Sequence, residues 1–275
     1  MPKSNLVQKE LMGFKNKEIL AATENALENL PSHKILFNNG KVEEAHAWLN
    51  DPSPCYSKYV MNSFNFIEAL NLKLLFPASP PKGSFCNCRN KLVNDPFHFL
   101  NCFNTNGVRK ARHDAIRDRL YDFMVECEPH ITIEKEQAIP LKNKEGSSVI
   151  SDIATVSATR SFQFIDVSFV NSAAASHLKN KDPLDERCID KYNKYKNAID
   201  DNVGSYAIIP FVLDITGKMH REARRFVEQI SRMGSSPYNS DKFKKARKIF
   251  LRDVNIISMN ENGFLIRSGK LYYRK

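Results

Sequence analysis

Nowhere in the 275 residues does an apolar run approach the roughly 20 that a membrane span needs. The opening stretch MPKSNLVQKELMGFKNKE is too polar to read as a secretory signal. Glycine is scarce at 10 residues. With 42% hydrophobic and 26% charged residues, that scarcity speaks for a soluble globular chain and against a fibrous, collagen-like or wholly disordered one. Internal repeats and low-complexity tracts are missing, which excludes solenoids and arrays. Six cysteines are too few to staple a chain of this length. Three of them fall within 17 residues beside a histidine, a pattern of metal chemistry in a reducing compartment.

Charge is unevenly spread. Residues 1–80 carry 8 Lys+Arg and 8 Asp+Glu, and residues 81–217 carry 18 of each. Residues 218–275 carry 15 against 5, so this block holds the whole net charge of +10. Inside the middle block, 82–119 is locally basic, with 8 Lys+Arg standing against Asp95, Asp114 and Asp118. Two basic regions, one of them around the Cys/His cluster, point to a polyanion, with nucleic acid the natural partner. Any single run of this kind also reads as a solvated helix face.

Hydrophobic spacing predicts helices over 5–30 (Leu11, Phe14, Ile19, Leu20, Leu27), 42–49 with the only tryptophan, Trp48, and 60–76. Asp51-Pro-Ser-Pro54 ends the second, and Pro77–Gly83 (PASPPKG) reads as a linker. An amphipathic helix is expected over Val108–Met124. Strands are expected at Ile131–Leu141, Val149–Ser157, Phe162–Val170 and Tyr206–Ile215. Helices are expected at Leu184–Ile199, Met219–Met233 and, strongly basic, Asp241–Val254, then a terminal hairpin over Phe264–Tyr273 turning at Ser268-Gly269. The expected fold is α/β, a mixed sheet flanked by helices over 107–235. A helical region (1–80) and a small knuckle (81–106) precede it, and a basic extension (236–275) follows.

The knuckle reads Cys86-x-Cys88, nine residues, His98, three residues, Cys102. Three thiolates and an imidazole would fill a closed tetrahedral Zn²⁺ site, which makes its role structural. Asp95-Pro96 supplies the turn that returns His98 to the cysteine pair. The competing reading is buried reduced cysteine with a surface histidine. Cys55, Cys127 and Cys188 are scattered and read as small apolar residues.

Asp152 lies in one expected strand and Asp166 in the next, each among apolar neighbours. A charge in an apolar strand is costly unless compensated, and a divalent cation shared by two carboxylates compensates it. Further on, Lys191 and Lys194 are neighbours on one helix face, with Tyr195 beside them. Phosphodiester hydrolysis uses such parts: carboxylates to hold a metal, a metal to activate water, and a cation near the developing charge. Two solvent-facing strand-end carboxylates with ordinary surface lysines are the plain alternative.

Together these residues resemble the restriction-like endonuclease region of non-LTR (LINE-type) retrotransposon polyproteins. The resemblance runs in order through AHAWL (45–49) and Ser63–Leu75, the CCHC knuckle, Arg112-His113-Asp114, Ser151-Asp152 with Asp166, and Lys191-x-x-Lys194-Tyr195. It implies a PD-(D/E)xK fold and Mg²⁺- or Mn²⁺-dependent nicking that leaves a 3′-hydroxyl for target-primed reverse transcription. By the same resemblance Asp152 and Asp166 hold the metal. Lys191 or Lys194 serves the water or the phosphate, Tyr195 supports that lysine or contacts the DNA backbone, and Arg112, His113 and Asp114 lie near DNA. Ser151 stands in place of the usual proline, and Ser168 where related restriction enzymes carry a lysine. No Y-x-D-D polymerase pattern occurs. The implied setting is nuclear, with target DNA, element RNA and the reverse-transcriptase domain of the same polyprotein as partners, and with no membrane. The chain then reads as an excised piece of that polyprotein.

Among other residues, Lys242, Lys245 and Arg247, with Lys244 and Lys248, are candidates to track phosphates, and Tyr272 or Tyr273 to stack on a base. Asp214 reads as a cap of the Thr216-Gly217 turn rather than a third acidic ligand, and Glu134 and Glu136 as a solvated edge. His130, His177 and His220 have no partner spacing. The rival functions are a non-catalytic nucleic-acid-binding module and a linker piece active only when joined to its polymerase.

Overall fold

A computed structural model of the chain describes residues 17–50, 60–76, 85–86, 88, 95–128, 130–136, 138–142, 148–156, 162–179, 182–196, 206–233, 240–271 and 273–274. The linker Pro77–Gly83, the Asp51–Pro54 stop, Cys55, Tyr272 and the first part of the N-terminal helix lie outside these residues. In chain order the helices α1 (residues 17–26), α2 (Pro31–Asn39), α3 (Ala47–Asn50) and α4 (Ser63–Lys73) come first. The two-residue strand β1 (Phe85–Cys86) and the long helix α5 (Asn106–Cys127) follow. Next are β2 (Thr132–Lys135), β3 (Ala138–Lys142), β4 (Ser148–Ile150), β5 (Ile153–Val156) and β6 (Phe162–Val170). The chain continues through α6 (Pro183–Lys196), β7 (Tyr206–Asp214), α7 (Arg221–Met233), α8 (Ser240–Leu271) and β8 (Tyr273–Arg274). No helix among the described residues is long and apolar enough to cross a membrane.

The central sheet has the order β2-β5-β6-β7. Its first two pairings are antiparallel, while β6 and β7 run parallel and are joined through α6, as a parallel pair requires a crossover. The fold is therefore α/β with a mixed sheet and helices on both faces. Side chains on β6 alternate between those faces. Ile165 and Val167 enter the large core with Ile116, Leu120 and Phe123 of α5, Phe226 of α7 and Phe250 of α8. Phe164 meets Tyr195 of α6, and Val170 meets Leu184 and Cys188 of α6. Asp166 and Ser168 lie between those two positions and so face α6.

Two expected strands break at the same level. Ile131–Leu141 divides into β2 and β3 at Glu136, which takes a positive φ of 50°. Val149–Ser157 divides into β4 and β5 at Ser151 and Asp152. The partners Lys135↔Ile153 and Ala138↔Ile150 keep one register across the gap, and Glu136 N donates to Asp152 O at 3.0 Å. Beyond this break β3 and β4 form a separate two-stranded ribbon. Asp152 thus sits at a ladder interruption rather than within a strand, and such interruptions re-aim a side chain.

The C-terminal region differs most from expectation. The basic helix does not stop at Val254, and no hairpin turns at Ser268-Gly269; α8 is one helix of 32 residues. From Phe250 onward most of it is buried, and it packs against α3, α4, α5 and α7. Its Ala246, Phe250, Val254 and Ile257 belong to the same core as the central sheet. Gly269, read as part of a turn in the sequence, and Gly263 both act as contact points within α8. A Cβ at 263 would overlap the Asn65 backbone of α4, and one at 269 the Phe99 ring. On α4, Asn65, Ala69 and Leu72 are buried, whereas Phe64 and Ile67, and Leu74 just after the helix, remain exposed.

Candidate active site and metal centre

Helix α6 begins where Asp182 Oδ1 accepts from the backbone N–H of Leu184 at 2.9 Å, a side-chain cap that fixes its start. Its inward face then lowers three groups onto one carboxylate. Lys191 Nζ donates to Asp166 Oδ1 at 2.6 Å, Lys194 Nζ to Oδ2 at 3.2 Å, and the Tyr195 hydroxyl to Oδ2 at 2.8 Å. Asp166 is only 3% exposed. Burial works to raise its pKa, but the ammonium groups of Lys191 and Lys194 and the Tyr195 hydroxyl outweigh it and hold the carboxyl below its usual range.

Asp152 approaches from the other side. The β5–β6 register ends at Ile153↔Ile165, so the next step places Asp152 beside Asp166. Asp152 Oδ2 accepts from Val167 N at 2.7 Å and lies 3.1 Å from His113 Nε2. His113 Nδ1 lies 3.1 Å from Asp114 Oδ1. Burial pulls the His113 pKa down, yet its contacts with Asp152 and Asp114 outweigh that and raise it. The Tyr195 phenol is pushed upward by burial, by Asp166 and by the charge of Asp152. Both carboxylates therefore act on one hydroxyl, which also lies 3.3 Å from Ile150 O.

Asp166, Lys191, Lys194 and Tyr195 thus meet where β6 and α6 join, and Asp152 stands one register step away, held by Val167 N and by His113, with Asp114 alongside. Arg112 does not join them. It is 3% exposed, donates to Asn262 Oδ1 at 2.6 Å and lies over the Phe169 ring. Burial lowers its pKa to about 10. It braces α5 against α8 and is not placed to contact DNA. Lys242 and Lys245 are exposed in the first turns of α8, and Arg247 lies 3.5 Å from Glu228 of α7. They belong to the helices on the sheet face opposite α6. Asp214 is wholly buried and accepts from Thr216 N and Ser172 N, so it caps the turn. Glu134 and Glu136 are exposed, and Glu136 pairs with Arg117.

Two contacts had no signal in the sequence. His220 links Asp185 (Nε2–Oδ1 2.6 Å) to Cys188 (Nδ1–Sγ 2.9 Å), tying α6 to the start of α7. Burial, with nearby acidic groups, pushes the Cys188 thiol up to about 12, so it stays protonated. Arg187 Nε donates to Ser168 Oγ at 2.7 Å, one helical turn before Lys191.

In the knuckle, one ligand atom from each of Cys86, Cys88, His98 and Cys102 lies within 4.8 Å of every other. The closest pairs are Cys86 Sγ to Cys102 Sγ at 3.4 Å and Cys88 Sγ to His98 Nε2 at 3.1 Å. Zn–S bonds of about 2.3 Å and Zn–N bonds of about 2.0 Å in a tetrahedron give edges of about 3.5–3.8 Å, so the donor set fits. Phe97 N donates to Asp95 Oδ1 at 3.1 Å and forms the turn before His98. Burial lowers the His98 pKa and favours the neutral imidazole a metal needs. These four side chains could hold a metal ion such as zinc. Neither a scan of protein-family models nor a search of curated proteins returns a match to this chain.

Proposed function

We propose that the chain is a metal-dependent DNA endonuclease with a PD-(D/E)xK core. It would nick target DNA to leave a 3′-hydroxyl primer for target-primed reverse transcription of a LINE-type retrotransposon. The observation that carries this reading is the buried Asp166 carboxylate under Lys191, Lys194 and Tyr195, with Asp152 one register step away. Mg²⁺ is typically held by one or two carboxylates and several waters, and Asp152 and Asp166 supply that number. Bound between them, the ion would lower the pKa of a water and offset charge on the departing oxygen.

The chain's own groups have separable tasks. Lys191 or Lys194, turned from Asp166 to a phosphate, stabilises charge that builds on its oxygens. Tyr195 keeps Asp166 oriented through the 2.8 Å bond. His113 and Val167 N hold Asp152 from two directions. The knuckle is structural, with zinc as its ion. The target duplex is the main partner, and element RNA and the polymerase domain are the others. The setting is nuclear.

One observation favours the non-catalytic alternative. Asp166 is already neutralised by cations of its own chain, and a self-satisfied cluster can serve as scaffold alone. Incubating supercoiled plasmid with Mg²⁺ decides between the two. The nuclease reading expects open circles from the wild type and none from Asp152→Ala or Asp166→Ala. Absence of wild-type nicking, or undiminished nicking by Asp152→Ala, refutes it.

A further inference from the structure

The inward face of α6 carries cations at Arg187, Lys191 and Lys194, four and three residues apart, hence spaced by about 6 Å and 4.5 Å along the helix axis. Opposite them on one face of β6 stand Ser168 and Asp166. The two rows meet as rungs. Arg187 Nε donates to Ser168 Oγ at 2.7 Å, and Lys191 Nζ to Asp166 Oδ1 at 2.6 Å.

These rungs differ in charge. Lys191 is met by a carboxylate, whereas Arg187 is met by a neutral hydroxyl on a buried serine. Ser168 therefore orients the guanidinium without neutralising it. The Asp190 carboxylate lies 3.9 Å from Nη1, and with the two side chains 42% and 68% exposed that pairing contributes little. Arg117 and Arg119 are treated otherwise. Arg117 is surrounded by Asp114, Asp118 and Glu136, and Arg119 binds the buried Asp253. A guanidinium held by Nε on a half-exposed side chain is a preformed fork for an oxyanion.

We propose that Arg187 binds a backbone phosphate of the nucleic acid, one nucleotide step from the phosphodiester that lies over Asp166, with Ser168 as the residue that positions it. This rests on the reading of the α6–β6 junction as the nucleic-acid site. The fork grips the flanking phosphate and sets the register in which the neighbouring phosphodiester meets Lys191. Ser168 occupies the place where related enzymes were expected to carry a lysine, and here it holds a cation from the helix instead.

The test uses the full chain and a labelled DNA duplex, without added Mg²⁺, with affinity followed by fluorescence anisotropy across a salt series. Each phosphate contact contributes about 0.9 to the slope of log affinity against log salt. Arg187→Ala is expected to lower that slope by about one contact and to weaken binding by about tenfold at moderate salt. Ser168→Ala keeps the cation but frees it, and is expected to weaken binding with the slope retained. In Mg²⁺ the Arg187→Ala variant should raise KM for plasmid more than it lowers kcat. A slope unchanged in Arg187→Ala overturns the proposal, even where its thermal stability or affinity falls, because that pattern belongs to a packing residue. Wild-type nicking with an unchanged Arg187→Ala slope refutes the arginine assignment and leaves the nuclease reading standing. A reduced slope without wild-type nicking does the reverse. A wild type that binds no duplex overturns the arginine assignment, and nicking in Mg²⁺ then decides the nuclease reading on its own.

Discussion

Replacing Lys191 by Met tests how the candidate site is held together. Removing one partner of a buried ion pair costs about 3–5 kcal/mol, because the other charge remains without compensation. Lys191 and Asp166 are 13% and 4% exposed, so this pair belongs near that class. Lys194 and Tyr195 still contact Asp166, but Lys194 is 46% exposed and its charge is screened by water. The net loss at pH 7 should therefore be about 2–3 kcal/mol. Its pH dependence follows from Asp166. In the wild type the folded-state pKa lies below the unfolded value of about 3.9. The carboxylate thus adds stability above that pH and loses it as pH falls through the folded value. Without Lys191, burial becomes the dominant influence and raises the folded-state pKa. The carboxylate then subtracts stability as pH rises from about 3.9 through the raised value. The gap between wild type and variant should be widest at neutral pH and close toward pH ~3. Urea unfolding of both proteins at several pH values measures it. A gap below about 0.5 kcal/mol at pH 7, or one constant with pH, refutes this account of the cluster.

Two further outcomes are expected. Cys102→Ser should lower the zinc bound per chain and the thermal midpoint together, because a structural zinc site contributes folding energy directly; elemental analysis with a thermal melt checks both, and full zinc content in the variant counts against the four-ligand assignment. Asp253→Asn should cost about 3–5 kcal/mol in chemical unfolding, since it strips the carboxylate from Arg119 and Arg252 where all three are buried; a loss under about 1 kcal/mol would show that neighbouring dipoles already solvate the two guanidinium groups.

What the sequence disclosed was local. Asp152 and Asp166 could be paired on paper because adjacent antiparallel segments bring them together, and Lys191 and Lys194 because helical spacing does. The four knuckle residues lie within 17 positions and are legible for the same reason. The remainder depended on distant partners. Arg112 resembled a DNA contact until α8 supplied Asn262, 150 positions away, and enclosed it. Arg119 faces inward only because Asp253, 134 positions on, meets it. Gly269 carries the ordinary signature of a turn, and only the ring of Phe99 against it explains it within a helix, as the backbone of Asn65 explains Gly263. The breaks at Glu136 and Asp152 were hidden because apolar periodicity continues through both. The sequence reads as a basic helix ending at Val254 and a hairpin after it, because the lysines at 242–248 dominate the composition and Ser268-Gly269 resembles a turn.

Strand β8 pairs with β1, setting Tyr273 opposite Cys86 and Arg274 opposite Phe85. During synthesis the thiol of Cys86 emerges nearly 190 residues before the strand that flanks it. The four candidate ligands can gather early, but their final backbone support waits for the ribosome to release residue 274, so a metal ion bound by a nascent chain stalled before that point should be held loosely and surrendered readily to a chelator.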